Sequence, residues 1–349
     1  MRISEELQAK CMEKNIPLAV LLELTYRCNL SCKHCYRVRE KGEELSYREI
    51  CALLDELREM GTFYLFFTGG EALVRSDFFQ IAEYARNKGF LLILMTNGTL
   101  ISDEEADKIA ALKFLWIEIS LLGATPTTHD SITKVPGSFV RTIRAIELLK
   151  ARNLKIVMKT TLMSLNVSEY QAITSLAEQL GITSKVQPWV VPKSDGSLEP
   201  LKYQLSLDEM RLYLRNDFEI SCLLGVDEDY YGPKICKAGR VLCCISPYGD
   251  IFPCLVIPLK LGNIRKNSFD EIWKSSNNEL RRIRSVTKSD LKTCSVCELA
   301  SFCNRCAGVA YMETGDLLAP SPSACQLAKW RAYLKAGKVG NIQPGKQLD

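Results

Sequence analysis

Short apolar runs alternate with amphipathic stretches between residues 18 and 191. The run Leu18–Leu24 is typical of a buried parallel strand, and Ser46–Met60 carries its leucines on one helical face. The pattern then repeats and predicts six strand–helix units. Further strands are predicted at 63–67, 90–95, 115–121, 154–162 and 184–191, and further helices at 77–88, 103–112, 138–152 and 167–180.

This alternation predicts an α/β fold with right-handed crossovers, and six units rather than eight suggest an open, partial barrel. A lead-in helix is expected over residues 1–17, and the barrel over 18–195. A turn-rich stretch near Pro192 opens a bridge over 196–235, with one helix at Ser206–Leu214. Residues 236–349 form a cysteine-rich unit that begins with a hairpin of 241–245 and 251–257.

Composition narrows the class of protein. The 349 residues are 47% hydrophobic and 25% charged, which is typical of globular proteins, and a net charge of +4 does not argue for nucleic acid. No apolar run reaches the length of a membrane span, and the N-terminus lacks the apolar core of a signal peptide. We therefore expect a cytoplasmic protein, in which fifteen cysteines indicate bound metal rather than disulfides.

Three cysteines directly follow the first predicted strand. Cys28, Cys32 and Cys35 have the spacing C-x3-C-x2-C, and thiolates are the usual ligands of iron–sulfur clusters. Three ligands for four irons leave one iron open to a substrate or cofactor. Zinc is the weaker alternative, because a structural zinc site needs four ligands and no fourth lies nearby.

Two further motifs accompany this loop. Gly69-Gly70-Glu71 ends the second predicted strand, and seven of the nine cysteines in the C-terminal unit, with a glycine at 249, have a distinctive spacing. Together the motifs resemble those of the radical S-adenosylmethionine (SAM) enzymes with a C-terminal SPASM domain. The resemblance implies a (β/α)6 TIM-like barrel, followed by a small SPASM domain over 236–349 that binds auxiliary clusters.

The resemblance also implies a reaction and a cofactor site. The open iron of a [4Fe-4S] cluster would bind SAM, and reductive cleavage would yield a 5′-deoxyadenosyl radical that abstracts a substrate hydrogen. Ordinary turn chemistry or core packing is the alternative for several of the implied contacts. The residues implied for SAM are Gly69, Gly70, Glu71, Asn97 and Ser120, with Tyr36 against the adenine.

Two auxiliary [4Fe-4S] clusters are implied by matched positions. One would use Cys236, Cys254, Cys306 and either Cys243 or Cys244, with Cys243 preferred. A pair of zinc sites is the alternative. The other cluster would use Cys294, Cys297, Cys303 and Cys325.

The resemblance favours a radical SAM oxidoreductase that modifies a ribosomally made peptide, as in the maturases of pyrroloquinoline quinone and mycofactocin. Haem or other cofactor biosynthesis is the alternative, and a non-catalytic zinc or cluster scaffold is a third hypothesis. Only 27 residues precede Cys28, so we expect a separate peptide-carrier protein rather than a fused leader-binding domain. A flavodoxin- or ferredoxin-type protein would donate electrons, and we expect neither nucleic acid nor membrane as a partner.

A catalytic acid or base is not identified by the sequence. Members that mature sulfatases carry an Asp after the hairpin cysteine, whereas this chain has Leu255, which argues against that activity. His129 and Asp130 could form an acid–base pair, but we expect them to be solvated residues of a polar loop.

Overall fold

Six parallel strands, in chain order, form most of one sheet. The computed structural model describes residues 5–38, 42–206, 208–210, 213, 235–275 and 277–335. The predicted strand–helix alternation and the partial (β/α)6 barrel are confirmed. The sixth strand is shorter than expected and ends at Gln187 rather than Val191. The strands are β1 (Ala19–Thr25), β2 (Tyr64–Gly69), β3 (Leu91–Thr96), β4 (Trp116–Ser120), β5 (Ile156–Thr161) and β6 (Thr183–Gln187).

Helices cover one face of these strands. One of them was not predicted, because residues 126–133 are mostly polar and were interpreted as a loop. The helices of this part are α1 (Glu5–Lys14), α2 (Tyr47–Glu59), α3 (Phe78–Asn87), α4 (Asp103–Ala111), α5 (Pro126–Thr133), α6 (Ser138–Ala151) and α7 (Tyr170–Gln179).

Local signals begin the helices. Ser46 caps α2 in a capping box with Glu49, and Ser102 caps α4 in the same way with Glu105. Pro126 occupies the first turn of α5, where its missing N–H costs nothing.

The main core lies between the strands and their helices. Val20, Leu22 and Leu24 of β1 pack there, together with Ile117 and Ile119 of β4. Because side chains alternate along a strand, the intervening residues lie on the opposite face. We call that the inner face; it carries residues 21, 23 and 25 of β1, 64, 66 and 68 of β2, 116, 118 and 120 of β4, 157, 159 and 161 of β5, and 183, 185 and 187 of β6.

The C-terminal unit extends the same sheet. Strand β7 (Leu242–Ile245) pairs in parallel with β1, and the hairpin partner β8 (Asp250–Phe252) is followed by β9 (Gly262–Asn263). The predicted hairpin is confirmed, although its second arm ends at Phe252 rather than Ile257. The remaining described helices are α8 (Phe269–Lys274), α9 (Asn278–Ser285), α10 (Ala307–Thr314) and α11 (Pro322–Lys335).

The sheet therefore continues across the predicted domain boundary. Its order is β6-β5-β4-β3-β2-β1-β7-β8-β9, and Phe269 and Trp273 of α8 join the main core. The predicted helix at 206–214 lies largely outside the described residues. None of the helices that the structure describes is long and apolar enough to cross a bilayer.

Candidate metal and cofactor site

The loop that carries the first three cysteines leaves the C-terminal end of β1 and docks on α5. The backbone N–H of Ser31 donates to the carbonyl of Thr133 (3.0 Å), and that of Lys33 donates to Ile132 (2.9 Å). Cys35 N–H donates to the Cys32 carbonyl (3.2 Å), which closes a tight turn inside the loop. The unpredicted helix α5 therefore supports the loop.

The three thiols form one electrostatic group. None of Cys28, Cys32 and Cys35 is disulfide-bonded, and all three are half-buried. Burial, followed by the neighbouring Cys35 and Cys28, raises the pKa of Cys32 to about 12. Ionised thiols that are close together and half-buried need a positive charge beside them. The iron core of an iron–sulfur cluster supplies such a charge.

The candidate ligands among the described residues are not gathered around one point. Within these ranges no three His, Cys, Asp or Glu side chains converge on a position where they could hold one metal ion. A single zinc ion with its thiolates at about 2.3 Å would hold the sulfurs within about 4 Å of one another. A four-iron cluster is larger than a single ion and holds its thiolates farther apart.

Gly69 and Gly70 let the end of β2 approach the cysteine loop. A Cβ atom on Gly69 would lie 2.3 Å from the Thr25 carbonyl oxygen, and one on Gly70 would lie 2.4 Å from that of Arg27. Gly70 N–H donates to Thr25 (2.7 Å). These glycines are therefore required for packing of the loop backbone, whatever they contribute to a ligand.

Glu71 joins the ends of β2 and β3 beneath the loop. Its side chain is buried, and its carboxylate accepts hydrogen bonds from Leu73 N–H (3.2 Å), Thr96 Oγ1 (2.8 Å) and Asn97 N–H (2.7 Å). Burial raises the pKa of Glu71, while these donors lower it. The carboxylate thus fixes the backbone of Asn97.

Asn97 in turn contacts the cysteine loop. Its Nδ2 donates to Asn29 Oδ1 (2.9 Å) and lies 3.9 Å from Cys28 Sγ. Its Oδ1 accepts from the hydroxyl of Thr99 (2.6 Å), and Thr99 also accepts from Asn29 (2.7 Å). Sequence reasoning found Asn97 but missed Asn29 and Thr99; the position of Asn29 inside the cysteine motif was the available signal.

Ser120 and Tyr36 are the remaining residues implied for SAM, and no hydrogen bond joins either side chain to this network among the described residues. Ser120 is exposed at the C-terminal end of β4, on the inner face. The guanidinium of Arg37 lies over the Tyr36 ring, 4.4 Å from its centre, and makes an ion pair with the buried Glu23. One face of Tyr36 is therefore covered by Arg37.

His129 and Asp130 are not solvated loop residues, and that prediction was wrong. Both belong to α5, where His129 is buried and its Nδ1 accepts from Leu122 N–H (3.0 Å). Burial lowers the pKa of His129 to about 4. Asp130 accepts hydrogen bonds from Gly137 N–H (2.6 Å) and Phe139 N–H (2.8 Å), so it caps the start of α6.

The C-terminal cysteines fall into two groups. Cys236 and Cys254 each interact electrostatically with Cys306, and burial raises the pKa of Cys254 to about 12. Cys303 and Cys325 interact with the same two thiols, Cys294 and Cys297. The family resemblance implies the same grouping, with Cys243 or Cys244 added to the first set, and that ligand assignment stays a prediction.

Cys243 and Cys244 face opposite sides of β7. Cys243 is fully buried in the main core beside Ile245. Cys244 pairs in register with Phe252, the last residue of β8, and Cys254 follows two residues later in the chain. Consistent with that, the Cys244 thiol interacts with Cys254, so the geometry favours Cys244 over the preferred Cys243.

Known proteins match both halves of the chain. The sequence model of the Radical SAM superfamily matches residues 22–177, and that of an iron–sulfur cluster-binding domain, SPASM, matches residues 236–298. An AdoMet-dependent heme synthase of Methanosarcina barkeri is 31% identical over 337 residues, covering 88% of this chain and 96% of the relative.

Two further similarities extend the comparison. Mycofactocin maturase MftC of Mycobacterium tuberculosis is 31% identical over 335 residues, covering 89% of this chain and 83% of that protein. The crystal structure of Streptococcus suis SuiB bound to S-adenosylmethionine superposes with a TM-score of 0.69 at 19% identity, over 91% of this chain and 80% of SuiB. At that identity the superposition supports the fold alone.

Proposed function

The chain belongs to the radical SAM enzymes that carry a SPASM domain, and from this premise we propose that it modifies a ribosomally made peptide. It is an oxidoreductase that uses SAM, a [4Fe-4S] cluster and auxiliary iron–sulfur clusters. When bound, the cluster and SAM supply reductive cleavage to a 5′-deoxyadenosyl radical, which takes a hydrogen atom from the substrate. The grouped thiols of the loop after β1 carry this proposal.

We assign Cys28, Cys32 and Cys35 as the ligands of the SAM-binding cluster. Around them, Glu71 orients the backbone of Asn97, and Asn97 orients the loop through Asn29. Their contribution is to hold the cluster loop rigidly against the ends of β2 and β3. The residues assigned to the SAM site remain Gly69, Gly70, Glu71, Asn97, Ser120 and Tyr36.

The auxiliary ligands are proposed from the two cysteine groups. One cluster takes Cys236, Cys254 and Cys306 with Cys244, and the other takes Cys294, Cys297, Cys303 and Cys325. Clusters with four protein ligands suit electron transfer rather than substrate binding. We expect the Cys244→Ala variant to lose iron and the Cys243→Ala variant to keep it. Equal losses, measured as iron per chain after anaerobic reconstitution, would contradict the assignment of Cys244.

The peptide substrate is supported by the relatives that are named as mycofactocin maturases. Under this hypothesis a separate carrier protein presents the peptide, and a flavodoxin- or ferredoxin-type protein donates electrons. Oxygen-sensitive clusters and unpaired thiols suit a reducing compartment, so we propose the cytoplasm.

A porphyrin substrate is the second candidate, and one observation favours it. One relative named as an AdoMet-dependent heme synthase is matched over 96% of its own length, whereas the mycofactocin maturase of Mycobacterium tuberculosis is matched over 83%. A porphyrin and a peptide are therefore both tested as substrates.

The first experiment compares the wild type with the Cys28/Cys32/Cys35→Ala triple variant after anaerobic reconstitution. About twelve irons per chain, falling to about eight in the variant, are expected for three four-iron clusters. Dithionite-reduced wild type should also form 5′-deoxyadenosine from SAM, and the variant should not. Zinc in place of iron, or equal SAM cleavage by both proteins, would overturn the proposal.

The second experiment identifies the substrate class. The reconstituted enzyme is incubated with SAM and reductant in the presence of small peptides encoded beside its gene, or of iron coproporphyrin III. Mass spectrometry then detects the loss of hydrogen or carbon dioxide from either. A product from the porphyrin alone would replace the peptide hypothesis with the haem alternative.

A further inference from the structure

Two lysines share one buried carboxylate on the inner face of the sheet. Lys159 Nζ lies 3.4 Å from Glu118 Oε2, and Lys185 Nζ lies 3.5 Å from Glu118 Oε1. Trp116 Nε1 also donates to Oε1 (3.3 Å). The Glu118 residue is 8% exposed, so this is an ion-pair cluster inside the barrel rather than on its outer surface.

Strand register places the lysines beside the proposed SAM site. Ser120 of β4 pairs with Lys159 of β5, and Lys159 pairs with Lys185 of β6, so the three residues form one row. The row contains the last residue of β4, and its two lysines lie two residues before the ends of β5 and β6, near the edge at which parallel α/β sheets bind ligands. Glu118 lies one inner-face position deeper than Ser120 on the same strand.

The charges of this cluster do not balance. One carboxylate faces two ammonium groups, which leaves a net positive charge among Glu118, Lys159 and Lys185. The side chains of Lys159 and Lys185 are 28% and 55% exposed, so both ammonium groups have room for a further acceptor. A single lysine would neutralise Glu118, and the second therefore needs another explanation.

We propose that Lys159 and Lys185 bind a carboxylate of the substrate, with Glu118 as the positioning residue that holds both ammonium groups in the row. The inference rests on the second candidate under the proposed function, a porphyrin substrate, which it needs near the C-terminal ends of β4–β6. It is directed at a carboxylate of the kind that porphyrin propionate side chains carry. SAM also has a carboxylate, so the experiment must distinguish the two sources.

The test measures binding by the reconstituted holoenzyme in anaerobic equilibrium dialysis. The probes are iron coproporphyrin III, which bears propionate carboxylates, and radiolabelled SAM in a separate cell. Single variants Lys159→Met and Lys185→Met are used, because each keeps one lysine paired with Glu118. Lys155→Met is the matched control, since that exposed lysine precedes the other end of β5.

Each single variant is expected to weaken porphyrin binding at least about tenfold, as for loss of a charge-assisted hydrogen bond. The Lys185→Arg variant keeps the positive charge and should bind the porphyrin with most of the wild-type affinity. A merely structural role would not require that charge. Equal porphyrin binding by wild type and both variants, or no porphyrin binding by the wild type, would overturn the assignment. Loss of SAM binding in the variants with porphyrin binding intact would overturn it too, by placing the carboxylate on SAM.

Failure of the radical SAM assignment gives a different result: the wild type then forms no 5′-deoxyadenosine from SAM, whereas the dialysis measurement needs no turnover. Failure of the peptide hypothesis alone gives a product from the porphyrin only, which leaves the assignment of the two lysines intact.

Discussion

At the scale of single residues, Glu71 shows how a buried carboxylate can act through its neighbours. Its hydrogen bonds to Leu73, Thr96 and Asn97 tie two strand ends together directly below the cysteine loop. Glu71 and Asn97 were both identified in the sequence, but the hydrogen bond between them was not. Thr96 and Asn97 lie at the end of β3, and only the parallel register of β2 and β3 brings them within reach of Glu71.

We expect the Glu71→Ala variant to be less stable by about 2–4 kcal/mol, because it leaves buried N–H and O–H donors without acceptors. Thermal unfolding of the reconstituted protein measures the loss. Glu59→Ala, which removes an exposed carboxylate on α2, should change stability by no more than about 0.5 kcal/mol. Equal effects of the two substitutions would show that the buried bonds contribute nothing.

His129 predicts a pH dependence. Its pKa is lowered to about 4 in the folded chain by burial, whereas an unfolded histidine titrates near about 6.5. Between these values the unfolded chain binds more protons, so stability is full above about pH 6.5 and falls as the pH approaches 4. The histidine accounts for a loss of at most about 3 kcal/mol.

The His129→Asn variant separates this contribution from that of the carboxyl groups. The asparagine oxygen can still accept from Leu122 N–H, but it does not titrate. Urea unfolding at pH 7 and pH 4.5 should therefore show a smaller loss for the variant than for the wild type. Parallel losses in both proteins would mean that His129 is protonated in the folded state.

At the scale of elements, the hydrophobic periodicity of the sequence predicted the strands and helices whose apolar faces pack against each other. The apolar runs of β1–β5 and the amphipathic helices α2–α4 lie within two residues of their predicted limits. Helix α5 was missed because its sequence, Pro126–Thr133, is polar, and its burial comes from docking under the cysteine loop. The choice between Cys243 and Cys244 was beyond the sequence as well, since it depends on which face of β7 lies toward Cys254.

Because the end of β2 contacts the loop after β1, we expect one methyl group added at Gly70 to displace that loop. Gly70→Ala would place a Cβ 2.4 Å from the Arg27 carbonyl oxygen, so the segment leading to Cys28 must shift. We expect iron to fall from about twelve to about eight per chain, as in the triple cysteine variant.

Gly196→Ala is the control, because no atom lies within 4 Å of a Cβ at that position. It should keep the wild-type iron content despite its positive φ. Full iron content in Gly70→Ala would mean that the loop adapts to the methyl group without losing its cluster.

At the scale of the whole molecule, one sheet joins the barrel to the cluster-binding unit. Ile245, Ile251, Phe269 and Trp273 are fully buried or nearly so in the main core, although they follow the predicted boundary. Burial of each large apolar side chain contributes about 1.5–3 kcal/mol, and a domain is stable by only about 5–15 kcal/mol. We therefore expect the barrel not to fold without the residues that follow this boundary.

A chain truncated after residue 234 is expected to lack a cooperative thermal transition and a near-UV circular dichroism signal. The full chain with Cys294, Cys297, Cys303 and Cys325 changed to Ala is the control, since it keeps the sheet and loses one proposed cluster. A cooperative transition in the truncated chain would show that β1 does not need β7.

The pairing of β1 with β7 also orders events during synthesis. Val20 and its partner Cys243 are separated by more than two hundred residues, so the ribosome completes more than two thirds of the chain before β7 covers the second edge of β1. Pairings between such distant segments form slowly, and an uncovered strand edge invites aggregation in the meantime. We therefore expect chaperones to bind the nascent barrel. Iron–sulfur assembly proteins also have a long interval in which to reach the cysteine loop before β7 pairs with β1.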